Sequence, residues 1–235
     1  MSAISLSDVK FSYSSRSSLI LDIVSLQVPI GARAFVFGPS GSGKSTLLGL
    51  IAGILTPGVG DVEVFGTKLN SLSEVSRDDF RGKNLGFIFQ QFNLIPYLTV
   101  RENIMLPFTL GPLKKDLRHV EDDLLRLCDE LGISQKLDQS VLSLSVGQQQ
   151  RVAAVRSMIC KPKLLIADEP TSALDADHRF DFIKSLSKLC QDSRTTVLFV
   201  SHDRSLEQFF DLKIDLASIN RAPQVGRSMT SIEKC

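Results

Sequence analysis

The run Gly38-Pro39-Ser40-Gly41-Ser42-Gly43-Lys44-Ser45-Thr46 constrains this chain more than any other part of it. It fits glycine, four residues, then glycine-lysine-serine. Ala34–Phe37 before it is short and continuously apolar, as expected of a central strand buried on both faces. A helix is expected after it, from about Lys44 to Ala52. Glycines let consecutive backbone N–H groups wrap an anion, and the helix N-terminus adds positive potential. Lys44 would reach the β- and γ-phosphates of a nucleoside triphosphate, and the Ser45 hydroxyl would ligate Mg²⁺. The alternative is a chance glycine-rich turn. With glycine at about 7% of residues, such a match arises about once in a hundred chains of this length. The context lowers that further, so the chain is read as binding a nucleoside triphosphate.

A second apolar run, Leu164-Leu165-Ile166-Ala167, delivers Asp168 and Glu169 at its carboxyl end. In open α/β sheets ligands sit at that end. Asp168 fits as the acid that holds Mg²⁺ through a water, and Glu169 as the group polarising the attacking water. Two solvated acids at a strand end are common in isolation; the phosphate loop favours the functional reading.

Composition narrows the class. The 235 residues fit one large domain, or a core with a substantial insertion. With 43% hydrophobic residues the chain needs no disulfide or metal staple. Lys+Arg 27 against Asp+Glu 26 leaves a formal charge of +1, without the basic excess of a non-specific nucleic-acid binder. No nucleic-acid partner is therefore expected. The longest uncharged stretch, Asn84–Val100, carries Asn, Gln, Pro and Thr and cannot sit in hydrocarbon. The N-terminus lacks the basic start and apolar run of a signal peptide. Cys128, Cys160, Cys190 and Cys235 form no close pair, which argues against zinc and disulfides and for a reducing cytosol.

Strands are expected over Ile4–Tyr13, Ile20–Pro29, Asp61–Phe65, Leu85–Phe89 and Thr196–Val200, with a turn at 12–18. Between Gln90 and Lys161 helices dominate. Leu117, Val120, Leu124, Leu127, Cys128 and Leu131 make one apolar stripe, and Gly132 is placed to end that helix. A helix is expected over His178–Cys190. The reading is a nucleotide-binding α/β core (about 1–90 and 161–220), a helical insertion (about 91–160) and a loosely structured tail after Asn220 (221–235).

Ser145, followed three residues later by Gln148, is a capping box opening a helix, and such a helix start is a second anion site. The bland alternative is an ordinary cap. With the phosphate loop also present, Leu144-Ser145-Val146-Gly147-Gln148 resembles the L-S-G-G-Q signature of ABC-type ATPases. The resemblance covers about residues 4–205. It implies an α/β P-loop NTPase fold with a RecA-like core, an N-terminal antiparallel β-subdomain and a helical subdomain insertion. It also implies roles. Tyr13 sits where the family places an aromatic that stacks on adenine, a core aromatic being the alternative. Gln90 matches the glutamine that contacts Mg²⁺ and the attacking water. Ser172-Ala173-Leu174-Asp175 matches the loop that crosses between subunits, and His202 the histidine that touches the γ-phosphate. In the family two subunits pair head to tail, so Ser145 and Gly147 would contact a phosphate held by the partner's Lys44. The helical insertion passes the motion to membrane subunits, which implies a place on the cytoplasmic face of the cell membrane.

Residues 86–107 resemble most the MacB/LolD-like subgroup of macrolide-exporter and lipoprotein-releasing ATPases. Two departures stand out. Val146 replaces the first signature glycine and stiffens the loop. Asn220-Arg221-Ala222-Pro223 stands where the family turns a strand pair with Asp-Gly, although Leu212–Ile219 can supply strand. A transporter ATPase is the leading reading. An ATPase that regulates a membrane or cell-wall partner shares every motif. A DNA-repair ATPase would carry coiled-coil arms or a zinc insertion, and the sequence has neither.

Overall fold

The computed structural model describes residues 1–14, 16–110 and 117–223, with the backbone alone for 117–119. The chain opens with β1 (Ser2–Phe11), β2 (Leu21–Pro29), β3 (Arg33–Phe37) and α1 (Lys44–Ile51). Then come β4 (Val59–Val64), β5 (Thr67–Lys68), α2 (Glu74–Asn84) and β6 (Leu85–Ile88). Three helices follow, α3 (Val100–Leu110), α4 (Leu117–Glu130) and α5 (Val146–Met158). The order ends β7 (Leu164–Asp168), α6 (Ala176–Asp192), β8 (Thr196–Val200), β9 (Leu212–Asp215) and α7 (Leu216–Ile219).

The strands make two sheets. One is antiparallel, in the order β2-β1-β4-β5. Ile4 and Leu6 point into its core, then Val9 and Phe11. That change of phase falls at Asp8, whose φ of 50° breaks the register with β4. The other sheet is parallel, in the order β6-β7-β8-β3-β9. Its middle strands carry continuous apolar runs, Ala34–Phe37, Leu164–Ala167 and Val197–Val200, because both faces are covered. Ala34, Val36, Leu164, Ile166, Leu198 and Val200 face α1 and the antiparallel sheet. Phe35, Leu165, Ala167, Val197 and Phe199 face the other way, into a core shared with α3, α4, α5 and α6.

Helix α5 lies close on β6 because residue 86 is glycine. A Cβ there would stand 2.4 Å from the Ser157 carbonyl oxygen. In α4, Val120, Leu124, Leu127 and Cys128 are buried as the stripe requires, as is Leu131 just past it, and Gly132 follows at φ 67°. The side chain of Leu117 lies outside the described residues. No helix among the described residues is long and apolar enough to cross a membrane.

Three expectations are corrected, and one helix stands where none was expected. Strand β1 stops at Phe11, so Tyr13 lies in the turn that follows, of which Ser15 is outside the described residues. Helix α2 is a helix that no apolar stripe announces: none of its residues is buried, and it is started by Ser73, whose hydroxyl accepts from Ser76 N–H. Only Leu212–Asp215 of the 212–219 stretch is strand, because the Asp215 carboxylate accepts from Ala217 N–H and starts a turn of helix. Arg221 and Ala222 are docked rather than loose: Arg221 N–H donates to Asp22 O (2.8 Å), and Ala222 is buried. The rest of the expected tail, from residue 224, lies outside the described residues.

Candidate nucleotide site

The parallel register places the candidate residues along one edge. Ile88 pairs Ala167, Asp168 pairs Val200, and Val36 pairs Val200. Carried one or two residues further, the chain leaves the sheet at Gln90, Glu169, His202 and Gly38 side by side. This is the carboxyl edge, where an α/β sheet binds its ligand.

Between β3 and α1 the loop Gly38, Pro39, Ser40, Gly41, Ser42, Gly43 folds around its own lysine. Lys44 Nζ donates to Gly38 O (2.9 Å) and Pro39 O (3.0 Å), which aims the ammonium across the loop mouth. Gly43 caps α1 at φ 96°, a left-handed conformation that costs other residues dearly. A Cβ there would also meet Leu21 Cδ2 at 2.7 Å. The Ser42 hydroxyl is buried without a hydrogen-bond partner among the described residues. Ser45 Oγ donates to Asp168 Oδ2 (3.3 Å), joining the loop to β7. Burial raises the Asp168 pKa above the ordinary carboxylate value and the repulsion of Glu169 adds to it, while Ser45 and Lys44 oppose the rise.

Glu169 follows Asp168 with φ 47°, held by its N–H donating to Val200 O (2.9 Å). Strain of this kind at a non-glycine residue re-aims a side chain. Here Glu169 Oε2 lies 2.5 Å from His202 Nδ1. Gln90 is exposed just past β6. Tyr13 OH bonds Thr46 Oγ1 (3.1 Å), its ring meets Phe11 edge-on at 5.1 Å, and the residue is 64% exposed. It is therefore no core aromatic, and it stands beside the phosphate loop.

The start of α5 is a separate place. Gln148 N–H donates to Ser145 Oγ (3.3 Å) and Ser145 N–H to Gln148 Oε1 (3.0 Å), the reciprocal capping box read from sequence. Among the described residues, no hydrogen bond joins Ser145, Gly147 or Gln148 to residues 38–46 of the same chain. A Cβ on Gly147 would touch Leu174 at 3.5 Å, so this helix start borders the 172–175 loop. Asp175 caps α6, accepting from His178 N–H (3.0 Å) and contacting His178 Nδ1 (2.8 Å), and these bonds lower its pKa. Sequence reasoning missed two further ties. Arg156 of α5 donates to Phe92 O (2.6 Å) and Asn93 O (2.7 Å), joining the signature helix to the segment after Gln90. Asn220 bonds the phosphate loop itself, at Ser42 O (3.2 Å). Neither follows a local pattern, so only the fold reveals them.

Comparison with known proteins gives the same answer. Residues 21–172 match the family described as ABC transporter. The chain is 40% identical over 200 residues to an uncharacterized ABC transporter ATP-binding protein, YvcR, of Bacillus subtilis, covering 84% of this chain and 76% of that one. It is 36% identical over 198 residues to the lipoprotein-releasing system ATP-binding protein LolD of Psychrobacter arcticus, covering 84% and 87%. The dimeric post-hydrolysis structure of the ATP-binding cassette MJ0796 with ADP and Pi superposes with a TM-score of 0.80 at 30% identity, covering 94% and 98%. With a phosphate loop, two strand-end acids and a capped signature helix on this fold, the chain belongs to the ABC transporter family, as an ATP-binding and ATP-hydrolysing subunit.

Proposed function

We propose that ATP is held by residues 38–46 and hydrolysed at the edge formed by Gln90, Asp168, Glu169 and His202, in a dimer whose second subunit supplies Ser145, Gly147 and Gln148. One observation carries this reading: four strands release their candidate residues side by side, while the signature helix starts elsewhere on the same chain. A head-to-tail pair unites the two halves.

Within the site, Lys44 and the loop N–H groups bind the β- and γ-phosphates. Tyr13 offers its exposed ring to adenine beside the loop. Ser45 and Asp168 are hard oxygen donors 3.3 Å apart, a set that fits Mg²⁺ completed by phosphates and water. Gln90 is the further donor from β6. Mg²⁺, when bound, neutralises charge on the β- and γ-phosphate oxygens. Glu169 orients and polarises the attacking water, and His202, bonded to that carboxylate through Nδ1, reaches toward the γ-phosphate. The Asp175 loop crosses to the partner subunit.

Closure of the dimer is a population shift driven by ATP's preference for the closed form. The membrane partner is an integral permease, docked on the groove lined by Phe87, Phe89, Asn93, Pro107 and Arg156 beside Gln90. The chain then works at the cytoplasmic face of the cell membrane, through that partner. The relatives' printed roles, among them lipoprotein release and bacitracin export, favour a permease of the same subgroup.

The test is a pull-down of tagged Glu169→Gln with ATP from detergent-solubilised cells, read by mass spectrometry. A stoichiometric integral membrane protein is expected. Recovery of soluble partners or DNA alone overturns the transporter reading.

A further inference from the structure

The four residues Asn220-Arg221-Ala222-Pro223, where the chain departs from the Asp-Gly turn, place one amide at a junction of three segments. Asn220 is 9% exposed. Its Oδ1 accepts from Asp22 N–H (2.9 Å) and Ala222 N–H (3.1 Å). Its Nδ2 donates to Ile20 O (2.9 Å) and Ser42 O (3.2 Å). Two donors and two acceptors thus meet two acceptors and two donors, which fixes the amide's orientation and leaves none of its capacity unused. The backbone adds a bridge from Asn220 to Ile23 and a bond from Arg221 N–H to Asp22 O (2.8 Å).

The bond to Ser42 O bears on phosphate binding through the peptide plane. In a trans peptide the C=O of one residue and the N–H of the next point in opposite directions. The chain contains no cis peptide bond among the described residues. Holding Ser42 C=O toward Asn220 therefore turns Gly43 N–H away from Asn220. Ile20 is also tied to the end of β1, its N–H donating to Phe11 O (2.8 Å). The same amide so sets the phosphate loop against the Phe11–Ile20 turn that carries Tyr13.

We propose that Asn220 is a positioning residue for nucleotide binding: its amide aims the Gly43 N–H and fixes the loop relative to the Tyr13 side of the site. This rests on the assignment of residues 38–46 as the phosphate grip. Asn220 touches no substrate atom and acts through the loop.

The experiment compares the full native chain with Asn220→Ala, Asn220→Asp, Ile219→Ala and Lys44→Ala. It measures affinity for a fluorescent ATP analogue, KM and kcat for ATP, and melting temperature. Asn220→Asp keeps the shape and the acceptor but cannot donate to Ser42 O or Ile20 O; it carries the test if the alanine variant does not fold. Ile219→Ala loosens the apolar packing of the same turn and leaves the amide intact.

Both Asn220 variants should raise KM and weaken analogue binding about tenfold, the scale of one lost buried hydrogen bond, with kcat at saturating ATP within about twofold. Ile219→Ala should lower the melting temperature and leave KM unchanged. The proposal is overturned if the Asn220 variants bind ATP as the native chain does, or if Ile219→Ala raises KM equally. Full analogue binding by Lys44→Ala would instead overturn the assignment of the loop.

Discussion

His202 Nδ1 lies 2.5 Å from Glu169 Oε2, a contact between the ends of two neighbouring parallel strands. The Glu169 side chain is largely buried and that of His202 mostly exposed, so the carboxylate is the fixed partner and the imidazole the adjustable one. Removing the base should separate binding from chemistry. Glu169→Gln is expected to bind ATP, lose about a hundredfold or more in turnover, and accumulate as a dimer by light scattering. A monomer at saturating ATP would count against the paired site. His202→Ala should lower kcat with little change in ATP affinity.

Lys44 tests the grip itself. Among the described residues its ammonium is hydrogen-bonded to the Gly38 and Pro39 carbonyls alone, so Lys44→Ala leaves the fold intact and removes the charge at the loop mouth. Affinity should fall at least about tenfold, measured by calorimetry or a fluorescent analogue. Retained affinity would refute the loop's assigned role.

The separation of Ser145 from the loop gives the opposite result. Ser145→Arg places bulk at an exposed helix start away from residues 38–46. ATP binding to one chain should persist, while turnover falls about a hundredfold with the loss of a phosphate contact. Undiminished hydrolysis would reduce the signature to a helix cap.

Much of this site is legible in the sequence because its parts are local. The phosphate loop is nine consecutive residues, Asp168 and Glu169 end one apolar run, and the Ser145–Gln148 box spans a single turn. The continuous apolar runs of β3, β7 and β8 report burial on both faces. Helix α2 gives no such signal, since none of its residues is fully buried, Phe80 being only partly packed on the core, and it carries a serine cap and the Asp79–Lys83 and Asp78–Arg81 pairs. The role of Asn220 was beyond reach for another reason: its partners Asp22 and Ile20 lie 198 and 200 residues away. The β-rich piece Ile4–Tyr13 predicts a strand through Tyr13, yet the strand ends at Phe11.

Acid stability should register the pair Arg33–Asp211. Arg33 binds the carboxylate through Nη2 (2.7 Å), Nε (3.1 Å) and its backbone N–H (3.0 Å). These bonds, the side-chain ones first, hold Asp211 below its ordinary pKa of 3.8. A depressed folded value means stability present above the unfolded pKa and lost as pH falls through the folded one. Asp211→Asn should therefore cost stability at neutral pH, by less than about 1 kcal/mol for so exposed a pair. The gap in melting temperature should close below about pH 4. A gap that persists at low pH would show that packing, not charge, is responsible.

Gly86 predicts a packing failure at one atom. Gly86→Ala drives a methyl group into the Ser157 carbonyl at 2.4 Å, where neither strand nor helix backbone can yield cheaply. A loss of about 1–3 kcal/mol is expected, read by denaturant midpoint. An unchanged midpoint would mean that α5 is free to lift from the sheet.

The parallel sheet acts as a partition wall between two unconnected interiors. The phosphate loop and Tyr13 stand over the interior that α1 shares with the antiparallel strands. The signature helix and the segment after Gln90 stand over the interior on the far side. Lesions should consequently sort by the side of the wall on which they fall. Small cavities behind Val36 or Leu198 should surface as weakened nucleotide affinity. Those behind Leu165 or Phe199 should leave affinity alone and blunt the conversation with the permease. A library of suppressors should obey the same geography, with repairs arising on the side that was damaged.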